Sequence, residues 1–72
     1  MSTATKERVK EIVNEIAKCS EFITIANLCL EHPTKFGITC EFDINNQKGV
    51  IKISESRIDD LTHELLSMLS NK

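Results

Sequence analysis

Two stretches of the chain follow a helical period. From Thr5 to Lys18, the residues Val9, Ile12, Val13, Ile16, Ala17 and Cys19 fall within an arc of about 160° at the helical step. Lys10, Glu11, Asn14, Glu15 and Lys18 occupy the opposite side. The spacing predicts an amphipathic helix over 5–18, capped by Thr3 or Thr5, behind a loose tail of residues 1–4. Near the other end, Ile58, Leu61, Leu65, Leu66, Met68 and Leu69 share a similar arc. They predict a helix over 57–70, capped by Ser54 or Ser56, with Asp59 and Asp60 at its positive dipole end.

Between them the pattern changes. Phe36, Ile38, Cys40, Phe42 and Ile44 alternate with Gly37, Thr39, Glu41 and Asp43, a period of two. Ile51 and Ile53 alternate with Val50, Lys52 and Ser54. One register reconciles both runs. It pairs Ile44 with Ile51 and Phe42 with Ile53 on an apolar face, and Asp43 with Lys52 on the polar one. The expectation is an antiparallel β-hairpin, strands 36–45 and 50–54, with Asn46-Gln47-Lys48-Gly49 as its loop and Gly49 supplying a positive φ.

Residues 20–31 admit two readings. Ile23-Thr24-Ile25 is β-branched and favours a strand. As a helix, Phe22, Ile23, Ile25, Ala26, Cys29 and Leu30 share one side, Ser20 serves as N-cap, and Pro33 ends the element at or before His32. Helix is the preferred reading, joined to the first by a tight corner or as one kinked rod. The expected fold is therefore α+β: a single small domain over 5–72 of α-α-β-β-α order, its antiparallel β-hairpin packed against amphipathic helices. The alternative is α-β-β-β-α, with residues 22–30 as a strand.

Composition narrows the function more than it names it. Seventy-two residues make one domain, near the lower limit for a self-sufficient core. A net charge of −2 supplies no bulk attraction for nucleic acid or anionic lipid. The absence of Trp and Tyr removes common binding anchors and base-stacking platforms. No apolar run is long enough to span a bilayer. Three cysteines without a CxxC pair, Cys19, Cys29 and Cys40, read as free thiols in a reducing cytoplasm, serving as small hydrophobes on buried faces. Cys29 and His32 have a spacing that could place two metal ligands together, but nothing nearby completes a set. No nucleophile–base pair or glycine-rich phosphate loop is present, so neither catalysis nor a cofactor is expected.

Two nucleic-acid-binding families share element orders with these readings. The α-α-β-β-α order resembles the KH domain but lacks a GxxG between the first two helices. The α-β-β-β-α order resembles the double-stranded RNA-binding domain, whose last helix would need a lysine-rich start; here it reads SESRIDDL. A nucleic-acid contact would rest on Lys6, Arg8 and Lys10, interleaved with Glu7 and Glu11.

Protein interaction is the expected function. A two-stranded sheet leaves both edges open to another strand. The candidate surface is Thr39, Glu41, Asp43, Val50, Lys52 and Ser54. The expectation is a small cytoplasmic regulator or inhibitor acting on a larger protein, or as a homodimer. Usage rich in Ile, Lys and Asn points to an AT-rich genome such as that of a phage or mobile element.

Overall fold

The computed structural model describes residues 3–70 and consists of two antiparallel helices. Helix α1 runs Thr3–Glu31 and α2 runs Glu41–Ser70. At 29 and 30 residues, each spans about 45 Å. The molecule is a rod of 51 × 16 × 14 Å. No strand occurs among the described residues. The α+β expectation is thereby overturned in favour of a helical hairpin, and so is its alternative with residues 22–30 as a strand.

A seven-residue repeat explains the architecture. On α1 the residues turned inward are Thr5, Val9, Ile12, Ile16, Cys19, Ile23, Ala26 and Leu30. On α2 they are Ile44, Gln47, Ile51, Ser54, Ile58, Leu61, Leu65 and Met68. Spacings alternate between three and four, the a and d positions of a heptad. None of these sixteen side chains is exposed. One position in each heptad carries an aliphatic residue throughout: Val9, Ile16, Ile23 and Leu30 on α1, and Ile44, Ile51, Ile58 and Leu65 on α2. Such a seam keeps two helices in register along their whole length.

The seam also accounts for the corrections. The two helices expected over 5–18 and 20–31 are one. Ser20 lies inside α1, where its carbonyl accepts the Thr24 hydroxyl at 3.0 Å, because no glycine or proline interrupts the repeat between Ile16 and Ile23. The proposed tail of residues 1–4 falls partly outside the described residues; α1 is already helical at Thr3. Strands 36–45 and 50–54 are replaced by a loop and the first half of α2. A lone hairpin would bury only the side of Phe42, Ile44, Ile51 and Ile53 and leave both edges unpaired. As helix, the same segment satisfies its backbone locally and joins Ile44 and Ile51 to the seam of Ile58 and Leu65. Phe42 and Ile53 are left outside, 71% and 72% exposed. Ser54 and Ser56 cap nothing; they sit mid-helix, with Ser54 6% exposed and facing α1.

The connection is built on backbone hydrogen bonds. The His32 amide donates to Leu28 at 2.9 Å, extending α1 before Pro33. The Ile38 amide then donates to Pro33 at 2.8 Å and the Gly37 amide to Thr34 at 3.3 Å. This pair of bonds is a Schellman motif, whose penultimate residue must be left-handed. Gly37 supplies that conformation, with φ of 71°. At the start of α2, the Ile44 amide donates to the Cys40 carbonyl at 3.2 Å. Glu41 and Asp43 sit in the first turn, where carboxylates favour the positive end of the helix dipole.

Candidate functional site

The two helices share a lateral side that carries the features most relevant to binding. At its far end from the loop it is charged. Arg8 donates from Nε to Glu64 Oε2 at 2.6 Å and from Nη2 to Glu64 Oε1 at 2.8 Å, a two-pronged bridge between the helices. Its Nη1 also donates to Glu11 at 3.1 Å. Seven residues on along α1 and seven back along α2, Arg57 Nη2 donates to Glu15 Oε2 at 2.9 Å. These two bridges fix which residues of α1 lie level with which of α2.

One heptad closer to the loop, the same positions are Phe22 and Val50. They are 54% and 39% exposed. Outward from each by three residues stand Ile25 and Ile53, also exposed. Charge gives way here to an apolar patch spread over both helices. An open groove of about 430 Å³ runs beside it, lined by Lys52, Ile53, Ser56, Arg57 and Asp60. A second groove, lined by Ser20, Glu21, Thr24 and Ile25, flanks it on α1.

The residues expected to form a sheet-edge surface do not form one. Thr39 lies in the loop. Glu41 and Asp43 are in the first turn of α2, and Val50, Lys52 and Ser54 point in three directions from it. Ser54 is inside the seam, and Val50 alone belongs to the patch. The basic residues Lys6, Arg8 and Lys10 share the first half of α1, but Arg8 is committed to Glu64 and Glu11, and Lys10 lies 3.9 Å from Glu7. Phosphate contact by Arg8 would have to displace both carboxylates.

The cysteines are free and stand in three environments: Cys29 buried, Cys19 half-buried and Cys40 exposed. Cys40, expected on a buried strand face, opens α2 instead. His32 lies just past α1 and is exposed, while Cys29 is buried. Among the described residues no group of three or more His, Cys, Asp and Glu side chains is arranged to hold a metal. No helix in this range is long and apolar enough to cross a membrane.

Hydrogen bonding to Arg8 holds the Glu64 carboxyl below its ordinary range. A lowered folded-state value means that the bridge contributes fully above the ordinary glutamate range, about 4.3, and is lost as pH falls through the lower folded value. Glu64→Gln is therefore expected to lower the thermal midpoint slightly at pH 7. The gap to the unsubstituted chain should close progressively in acid, as seen by circular dichroism from neutral pH downward. A deficit that persists undiminished below the glutamate range would contradict this bridge. The effect is small because both side chains remain partly in water.

The chain matches no protein-family model, no curated protein and no solved structure.

Proposed function

We propose that this chain is a non-enzymatic protein-interaction module that works by covering a surface of another protein chain, as a regulator or inhibitor. One observation carries the reading: Phe22, Ile25, Val50 and Ile53 stand together and exposed, on the side of the hairpin whose other half is closed by ion pairs. An apolar cluster rimmed by polar and charged groups is the usual form of a protein-binding surface, with phenylalanine as anchor. The flanking residues Lys52, Arg57, Asp60 and Glu21 provide such a rim.

Mechanism on this reading is steric. Binding withdraws the apolar cluster from water and blocks whatever the partner surface would otherwise engage. Direction and register come from the rim charges, which steer encounter more than they add affinity. The rigidity of the platform matters, because side chains fixed on two packed helices lose little freedom on docking.

The test is a binding comparison using immobilised wild-type chain and its Phe22→Asp variant, probed with purified chain and with native extract. Partners held by the wild type and lost by the variant are expected. An identical set on both surfaces would remove the reading. Because Phe22 is half exposed and outside the seam, the variant is expected to retain its helical spectrum.

A further inference from the structure

We infer that the chain covering this patch is a second copy of the same chain, so that two hairpins join through Phe22, Ile25, Val50 and Ile53 into a four-helix bundle. The inference rests on the interaction reading above and names its partner.

Surface area is the first argument. The chain exposes 5486 Å². A compact monomer of its 8.1 kDa would expose roughly 4,500 Å². The excess, about 1,000 Å², is what one partner contributes to a specific interface of standard size, about 800 Å² per side. The radius of gyration, 16.0 Å, likewise exceeds the roughly 11 Å of a compact chain of this length.

The second argument concerns the core. Of the large side chains among the described residues, Ile12 and Leu61 alone are fully buried. Elsewhere the inward positions include Thr5, Cys19, Ala26, Gln47 and Ser54, which bring little apolar area. A seam with so little apolar area is marginal by itself, and covering the exposed apolar side chains beside it adds to its stability. A second copy supplies such cover in equal number wherever the chain is made.

The third is charge. The rim alternates in sign around the patch, with Lys52, Arg57 and Lys18 beside Asp60, Glu15 and Glu21. A surface of mixed sign can meet itself without setting one sign against the same sign, as an isologous contact requires. Four helices around one axis would give Phe22 and Ile53 neighbours on every side, the arrangement in which helical hairpins form a continuous core.

The decisive experiment is sedimentation equilibrium over a wide concentration range, combined with thermal unfolding at each concentration. For the wild type, a dimer is expected, with an unfolding midpoint that rises with concentration. Ile53→Glu and Phe22→Glu are each expected to weaken association by roughly tenfold or more, the usual consequence of a charge at an interface centre. Lys10→Glu, on the opposite lateral side, should leave it unchanged. A wild type that is helical and monomeric throughout, with a concentration-independent midpoint, would overturn the second copy. The partner comparison with native extract would then still decide the broader reading. A dimer indifferent to both patch variants would overturn the assignment of the face. The wild-type midpoint needs no variant to fold, so the outcome does not depend on the stability of the substituted chains.

Discussion

Leu61→Ala is expected to remove about 2–5 kcal/mol of the hairpin's stability at 25 °C, most of what it has. Leu61 is 1% exposed, and with Ile12, at 0%, it makes the deepest part of the seam. Truncating a buried leucine costs about 2–5 kcal/mol, through lost transfer energy and the cavity left behind. Small domains have only about 5–15 kcal/mol in total, and a hairpin with two fully buried large side chains belongs at the lower end. Isolated helices of this composition have little stability of their own, so helical content should fall with the packing. Circular dichroism at 222 nm reads the result directly. Leu66→Ala is the internal control: five residues on, in the same helix, but 57% exposed. Its cost should stay near that of a surface change, within about 0.5 kcal/mol. Equal losses from both substitutions would mean that the inward register of α2 is wrong.

Gly49→Pro is expected to cost about 3 kcal/mol or more. Gly49 lies in the interior of α2, with a φ in the ordinary range; Gly37 alone among the described residues is positive. Proline there would remove the backbone bond to Asn45 and drive its ring against the preceding turn. Gly49→Ala has the opposite sign. A Cβ built at Gly49 meets nothing within 4 Å, and alanine in a helix interior is better than glycine by about 0.5–1 kcal/mol. The pair is diagnostic because a hairpin loop would reverse one member. A glycine at positive φ resists alanine, whereas an α2 glycine welcomes it. Urea unfolding of the three chains measures both. Stabilisation by alanine with severe loss from proline supports α2, and destabilisation by alanine would restore a turn at this point.

The surface on which an interaction is proposed differs between sequence and structure. On the sequence alone it rests on open strand edges and six residues of an expected sheet. In the helical hairpin those edges are gone, and Val50 is the sole member of the six that stands in the apolar patch. Phe22, Ile25 and Ile53 fall on buried faces in the α+β reading, which hides their exposure. One signal could have exposed them: once the aliphatic heptad is written out, all three fall off the seam.

Much of the build was legible in the pattern. Both terminal helices follow from their apolar arcs, and residues 20–31 follow from the same period and from Pro33. The break after α1 is legible too, because Pro33 cannot continue a helix; its closure on Gly37 is not, since Gly37 reads as a strand residue and the positive φ is expected at Gly49. What misled was Phe36 to Ser54. Apolar residues at every second position satisfy a strand, but a helix uses only some of them, and Ile44 and Ile51 serve both. Asn-Asn-Gln-Lys-Gly has the local chemistry of a turn, and its helix propensity is poor by a few kcal/mol in sum.

The sequence by itself determined that this is a small, mildly acidic chain with amphipathic helices at both ends, a break at residues 33–35 and no evident catalytic constellation. Only the tertiary structure decided that residues 41–56 are helical and that Phe22, Ile25, Val50 and Ile53 lie on one surface. The reason is physical. Local preference in that segment is a matter of a few kcal/mol, whereas pairing Ile44 and Ile51 with the opposing helix extends an existing seam through two more heptads. That gain depends on residues far away in the chain, and no local window contains them.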